Sequence, residues 1–330
     1  MSGYLSSRVV NIKYLDHVQI IKASDYYVVS HINERTIQPN KIVLVYISAA
    51  WMASPEPVKH AYDLLIRRKL AHKVIILYNA PNEKELFETR IADIFSSADR
   101  SGVELLFCNN NAFVDENKFY IANADEGRRI YDLVINSRFC AYKNVQVANQ
   151  CHNTIHIGYL DQSPTRSVIP TFGKLANYIA RPTSPTEIIS QYNPLRQHQI
   201  NQILNQSSVG GIFSEIEGAC RASAEYLLCG LPVISSACQG GREIWYNSNN
   251  SIICQECTPE TVYDACQKAK ENLANGSFQR AEIRKQHIAQ SNEHRDRLWN
   301  HCQQKLVEFG QNDLHPSLKN RLKKDLLAKH

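Results

Sequence analysis

The sequence predicts an α/β protein built as two parallel-sheet units in series. Three observations predict it. Apolar, β-branched runs of four to eight residues recur along the chain. Segments with helical periodicity separate them. The alternation then restarts after a polar stretch at 123–129. A length of 330 residues fits two domains at about 100–200 residues each.

Taken in order, Val18–Lys22 and Tyr26–Ser30 read as two short strands. Lys41–Ser48 (KIVLVYIS) reads as a buried strand. Pro55 and Pro57 then open a helix whose apolar face carries Val58, Ala61, Leu64 and Leu65. His72–Tyr78 and Val103–Cys108 are further strands, and Asn82 caps a helix between them that runs to about Ala98. After the polar stretch, Tyr131–Asn136 is a strand, a helix begins at Val145, and Thr154–Leu160 is the next strand. The Pro- and Ser-rich region 161–195 holds a strand near Val168–Phe172. A helix over Leu195–Asn205 follows, then strand Val209–Ser214, helix Ala222–Cys229, and strands Pro232–Ser235 and Ser251–Cys254. Thr258 caps a helix with Pro259 at its first position. From there the chain is largely helical, broken at Gly276, Gly310 and Pro316. The organisation is therefore an N-terminal Rossmann-like domain over 1–125, a second α/β domain over 126–300 and a helical tail over 301–330.

Composition excludes several classes. A net charge of +5 from 37 basic and 32 acidic residues, mostly interspersed, does not describe a nucleic-acid binder. No window approaches the ~18 apolar residues of a membrane span, and the first residues lack a secretory core, so a cytoplasmic protein is expected. The ten cysteines then read as free thiols. Cys254 and Cys257 form a lone C-x-x-C without the further ligands that a structural zinc needs. Neither GxGxxG after a strand nor GxxxxGK[ST] occurs, which argues against a nicotinamide dehydrogenase and a P-loop NTPase.

The informative segment runs from Ser214 to Glu243. A buried strand ends at Ser214, and a short loop carries Glu217 and Gly218. The helix that follows carries Glu225, and Gly230 ends it before the next strand. Its amino end lies at the carboxyl edge of a parallel sheet, where ligands of open α/β sheets bind. The unpaired N–H groups and dipole there favour a phosphate. Two carboxylates eight positions apart suit a polyhydroxyl ligand, because they accept hydrogen bonds from paired hydroxyls.

This segment resembles the E-x7-E motif of retaining GT-B glycosyltransferases of family 4. Glu217 and Glu225 match the two glutamates, and Gly218, Gly230, Pro232, Gly240 and Gly241 match the pattern around them. The resemblance implies two Rossmann-like domains facing a cleft. It implies that Glu217 contacts the donor sugar, that Glu225 holds the nucleotide ribose, and that Ser214, Gly218, Ala219, Cys220, Arg221, Gly240 and Gly241 line the donor site. Ala219, Cys220 and Arg221 stand where the family has small and aromatic residues, and Glu243 follows Gly241 by two rather than by the usual spacing. Upstream, Asn136 to Lys143 resembles the family's G-R-L-x-x-x-K segment. Arg138 and Lys143 keep its Arg–Lys spacing, with Ser137 in place of the usual Gly. Two cations and a helix terminus would stabilise a leaving nucleoside diphosphate without a metal or other cofactor.

By the same resemblance, the N-terminal domain binds the acceptor, a saccharide or a lipid-linked group. Candidate residues there follow its strands: Ser48, Ala49, Trp51, Asn79 and Asn109–Asn111. Trp51 reads equally as a sugar-stacking ring or a core aromatic, and Asn-rich turns also form for backbone reasons. His17, His31 and His60 are open alternatives for a histidine near the reaction centre. In the tail, Leu318, Leu322 and Leu326 make an apolar stripe beside Lys319, Arg321, Lys323, Lys324 and Lys329. That pattern fits peripheral contact with an anionic membrane or, as the preferred alternative, a solvated terminal helix. Two other functions remain beside the transferase: a non-catalytic nucleotide-sugar-binding partner subunit on the same fold, and a sugar-nucleotide epimerase.

Overall fold

The computed structural model describes residues 9–24, 29, 32–48, 59, 63–94, 101–122, 129–160, 168–176, 195–312 and 314–327, apart from the side chains of Arg90 and Leu160. The chain forms two compact units. The first comprises residues 1–114, 240–242 and 290–330; the second comprises 115–239 and 243–289.

The first unit is a five-stranded sheet in the order β1 (Val9–Ile12), β2 (Val18–Ala23), β3 (Ile42–Ser48), β4 (Lys73–Tyr78), β5 (Val103–Phe107). β1 runs antiparallel to β2; the other pairs are parallel. The continuous Val/Ile runs of β2, β3 and β4 match the near-total burial of these strands, as strands covered on both faces require. Phe87 and Ile91 of helix α1 (Glu83–Ile94) pack on Val43, Val45, Val74 and Ile76. Most of the helix expected after Pro55 lies outside the described residues; its described end is one π-helical turn, Asp63–Arg67, with Leu65 buried. Of the expected strand Tyr26–Ser30 only Val29 is described.

The main sheet of the second unit has six strands among the described residues, all parallel: β6 (Tyr131–Phe139), β7 (Thr154–Leu160), β8 (Lys174–Leu175), β9 (Ser207–Ile212), β10 (Val233–Ser236) and β11 (Ser251–Cys254). Their order across the sheet is β11-β10-β9-β6-β7-β8. The chain builds outward from β6 through β8, then returns to the other side of β6 and builds outward again. The switch point therefore lies between the carboxyl ends of β6 and β9, where open α/β sheets place their ligands. Helices α2 (Gln197–Asn205), α3 (Arg221–Leu228) and α4 (Pro259–Ala274) belong to this unit. Thr258 caps α4 by accepting from Thr261 N at 3.3 Å, and Gly230 ends α3 with φ +68°. Helix α5 (Arg280–Glu308) begins in the second unit and ends in the first, and α6 (Pro316–Leu326) belongs to the first.

Three local expectations need correction. β6 does not stop at Asn136; it stays paired with β7 as far as Phe139–Leu160. Gly158 makes room for this, since a Cβ there would stand 2.0 Å from the Phe139 ring. The expected helix at Val145 is only a 3-10 turn, Val145–Ala148. Residues 168–172 form no strand; the ladder with β7 is made instead by Lys174–Leu175.

Candidate functional site

Beyond β9 the chain turns inward at Ser214, which is fully buried. The Ser236 hydroxyl holds this turn by donating to the Ser214 carbonyl at 2.9 Å. The Ser214 hydroxyl in turn donates to Glu217 Oε1 at 2.7 Å. The same oxygen is ion-paired with Lys143 Nζ. Glu217 sits in a two-residue strand, Ile216–Glu217, not in open loop, and the Glu215 carbonyl accepts from Gln239 N at 2.8 Å. The Glu217 and Lys143 side chains are 8% and 14% exposed, so this pair is largely withdrawn from water.

Glu225 lies one turn into α3 and faces β6. Asn136 Nδ2 donates to its Oε2 at 2.7 Å, and Arg221 Nε donates to its Oε1 at 3.2 Å. Burial pushes the carboxyl up to about 7, against the opposing pull of Arg221 and the two hydrogen bonds. The next residue, Tyr226, accepts from the backbone N–H of Asn136 at 2.6 Å, which fixes α3 against β6. Gly210 on β9 makes that approach feasible: a Cβ there would meet the Tyr226 ring at 2.3 Å.

Arg138 is two residues beyond Asn136 in the same strand, so both project to one face of the sheet. It lies in β6 and not in the loop after it, with its guanidinium 5.7 Å from the Tyr159 ring. Lys143 closes a 3-10 turn, Ala141–Lys143, and stands 5.0 Å from the Tyr142 ring. Between the two carboxylates the chain passes Gly218 and Ala219, both buried, and Cys220. Cys220 is the N-cap of α3 with φ +51° and makes no side-chain capping bond, so its side chain satisfies none of the first N–H groups of α3. The second unit thus brings Ser214, Glu217, Gly218, Ala219, Cys220, Arg221, Glu225, Arg138 and Lys143 to one edge of its sheet. Asn136 and Tyr226 complete the arrangement and were missed in the sequence. Only the parity of 136 with 138 hinted at Asn136.

Gln239–Gly240 is a two-residue strand paired with Ile216–Glu217, whereas Gly241 belongs to the first unit. There the Gly241 carbonyl accepts from Asn109 Nδ2 at 2.7 Å, and a Cβ on Gly241 would stand 2.3 Å from Asn79 Cβ. Glu243 braces its own loop by accepting from Cys238 N.

In the first unit, Asn79, Asn109 and Asn111 are buried, and the side chains of Asn79 and Asn109 serve the backbone. Asn79 Oδ1 accepts from Asn110 N at 3.0 Å, and Asn109 Oδ1 accepts from Asn111 N at 2.9 Å. His17 is exposed at the amino edge of the sheet, the edge opposite the strand ends that carry these asparagines. Ala49, Trp51, His31 and His60 lie outside the described residues. His294 on α5, which the sequence did not single out, accepts from Asn109 N at 3.3 Å, and burial lowers its pKa to about 4. Ser48 and Lys22 are buried, and among the described residues neither Ser48 Oγ nor Lys22 Nζ has a hydrogen-bond partner. The Lys22 ammonium stands 3.4 Å from the Phe113 ring, and burial lowers its pKa to about 7. In α6, Leu322 and Leu326 are fully buried while Lys319, Arg321, Lys323 and Lys324 are exposed. Leu322 and Leu326 of the apolar stripe are therefore spent on the fold, leaving a polar, mostly basic outer face.

Among the described residues, no group of three or more His, Cys, Asp or Glu is placed to hold a metal ion, and no helix is long and apolar enough to cross a membrane.

No protein-family model and no curated protein matches the chain. Solved structures do. HepE of Anabaena in complex with UDP is similar at TM-score 0.53 and 15% identity, over 83% of this chain and 74% of that one. The S. aureus TarM, a variant solved with fondaparinux, α-GlcNAc-glycerol and UDP, is similar at TM-score 0.53 and 11% identity, over 85% of this chain and 59% of that one. The pneumococcal O-GlcNAc transferase GtfA, with UDP and GlcNAc, is similar at TM-score 0.53 and 12% identity, over 87% and 60%. The likeness is one of fold: it gives the chain the α/β architecture of GT-B proteins, with two Rossmann-like units.

Proposed function

We propose that the second unit binds a nucleotide-diphospho-sugar at the switch point between β6 and β9, and that the chain transfers the sugar to a saccharide or lipid-linked acceptor. One observation carries the reading. Two buried glutamates, each braced by a cation, flank the amino end of α3 at that switch point. Both carboxylates are expensive to bury. A ligand that donates hydroxyls to carboxylates and takes up cations with phosphates uses every group present. Glu225 accepts from the ribose. Glu217 accepts from sugar hydroxyls as Lys143 turns to the diphosphate. Arg138 and the α3 amino end take the remaining phosphate charge.

In the transfer, the bond from sugar C1 to the phosphate oxygen breaks and the acceptor oxygen bonds to C1. The acceptor's proton passes to a phosphate oxygen. The protein positions the partners and stabilises the leaving group, with no metal assigned a part. Attack from the face that the diphosphate leaves gives retention of configuration, as in E-x7-E transferases of family 4. The acceptor side falls to the N-terminal domain, 1–125. The chain works in the cytoplasm, and the exposed lysines of α6 provide any contact with an anionic membrane surface.

The test is a thermal-shift screen of nucleotide sugars, followed by sugar transfer with the best donor, with and without chelator. A donor at ~100 times its Kd adds about 2.7 kcal/mol of stability. Glu217→Gln should abolish transfer while the nucleotide still binds. A donor that binds without its sugar ever being released would replace this reading by that of a nucleotide-sugar-binding partner subunit.

A further inference from the structure

At the amino edge of the second unit's sheet, opposite the switch point, lies an open cleft of about 530 Å³, a size typical of small-ligand pockets. Three adjacent strands begin in its wall, β6 at Tyr131, β7 at Thr154 and β8 at Lys174. Lys174 Nζ reaches across the start of β7 and donates to the Tyr131 hydroxyl at 3.2 Å. Phe172, also in the wall, packs edge-on to the buried His156 ring, with 4.8 Å between centroids. Gly173 lets the chain lie this close to β7: its φ is +69°, and a Cβ there would stand 2.6 Å from the Thr154 carbonyl oxygen. Tyr131 and Phe172 are thus held in place before any ligand arrives. Each is half-buried and still lines the cleft. Asn149 and Asn153 are exposed along the same wall.

We propose that this cleft is a saccharide-binding site separate from the donor site, taking a short stretch of neutral glycan. The lining selects that class. Rigid aromatic rings stack on the C–H faces of sugar rings. Carboxamides donate and accept at once, which matches hydroxyls that do the same. A phosphate or sulfate is better served by several cations or an arginine fork, whereas the one ammonium in the wall, Lys174, already donates to Tyr131.

The place in the fold keeps the two sites apart. Tyr131 and Arg138 stand at opposite ends of β6, and seven steps along a strand span roughly 23 Å. One sugar ring cannot touch both. A glycan held at the amino edge therefore stays on the protein while the switch point fills and empties. The cleft belongs to the second unit alone, so it stands whether or not the donor reading does.

The test applies the full chain to an array of neutral, sulfated and uronate-bearing oligosaccharides, and measures the best binder by calorimetry. The expected result is a neutral oligosaccharide that an excess of UDP does not displace. Tyr131→Ala should weaken it about ten-fold by removing a stacking ring. The double variant Asn149→Ala, Asn153→Gly should weaken it by a similar factor. That variant suits the backbone, because Asn153 has φ +51°, and it should leave the melting temperature and any shift caused by UDP unchanged. It decides the matter if Tyr131→Ala fails to fold. No neutral oligosaccharide bound, a preference for sulfated ones, displacement by UDP, or undiminished binding by the double variant would each overturn the proposal. A shift with UDP but no bound glycan sinks this site alone; a bound glycan with no nucleotide shift sinks the donor reading alone.

Discussion

Asn136 and Glu225, 89 positions apart, are joined by a 2.7 Å hydrogen bond from amide to carboxylate across the switch point of the second sheet. The bond ties the end of β6 to the middle of α3. It also leaves a buried carboxyl with only two donors, which is why burial outweighs them and the group titrates near neutrality.

That titration gives the first prediction. An ionised Glu225 accepts from ribose hydroxyls better than a neutral one, so nucleotide affinity should rise as pH goes from 6 to 8. Calorimetric titration of UDP and related nucleotides across that range checks it. Glu225→Gln should flatten the pH dependence and weaken binding about 10- to 100-fold, the worth of one or two charge-assisted bonds. Stability of the unliganded protein should move the opposite way. The folded pKa of about 7 exceeds the ordinary 4.5, so the contribution is complete below pH 4.5 and is lost as pH rises through 7.

Lys143 and Glu217 form a second, separable unit. Removing one ion strands the other in a largely buried position, so Lys143→Met should destabilise the protein by about 2–4 kcal/mol. The double variant Lys143→Met, Glu217→Leu should lose less than the sum of the two single losses. Denaturant melts of the three variants measure this directly. Either single change should also lower sugar transfer by about 100-fold or more, if these groups meet the donor.

Gly210 is predicted to be intolerant of any side chain. Gly210→Ala places a methyl 2.3 Å from the Tyr226 ring, which has no room to retreat. A loss of about 1–3 kcal/mol is expected, typical of an overpacked core. The nucleotide should bind more weakly too, because Tyr226 holds Asn136 and Asn136 holds Glu225. Tyr226→Phe keeps the ring and removes only the hydroxyl, so it should reproduce part of the binding defect with a smaller loss of stability.

In the first unit, Lys22 should cost stability near neutral pH. Its pKa falls from 10.5 to about 7 on folding, because burial disfavours the ammonium. Between those values the unfolded chain holds a proton that the folded chain lacks, so stability should rise with pH from 7 to 10.5. Lys22→Met should raise stability at pH 7 by about 1–3 kcal/mol, removing an unpartnered buried donor, and should abolish that rise. Urea titrations at three pH values decide it.

Much of the fold was legible in the sequence because its strands are buried on both faces. The runs at 42–48 and 73–78 are almost uninterrupted Val, Ile, Leu and aromatic residues, and no helix of that length would need so continuous a pattern. β1 escaped notice: VVNI is four residues long, and its Asn11 side chain accepts from buried Gln19, a contact without period. The end of β6 was misplaced because Asn136, Ser137 and Arg138 look like loop; only the space above Gly158 explains why the ladder continues. Glu217, Glu225, Arg138 and Lys143 stood out by their resemblance to a family's motifs, whereas Asn136, Tyr226 and Gly210 are joined across 16 to 90 positions. Nothing in a single sequence reports such contacts. The asparagines after β4 and β5 show the reverse: they drew attention as ligands, and the structure uses them to hold backbone.

The first unit is stitched from three stretches of chain, and the last of them supplies the second half of α5 and all of α6. Leu322 and Leu326 are sealed inside it, and Tyr14 near the beginning hydrogen-bonds Asp325 near the end at 2.8 Å. A ribosome therefore makes the first sheet early but cannot complete the unit around it until the codons for α6 have been read. Throughout synthesis of the second unit, the apolar surface awaiting α6 stands uncovered, and that interval is when the nascent protein is most exposed to aggregation and most dependent on chaperones.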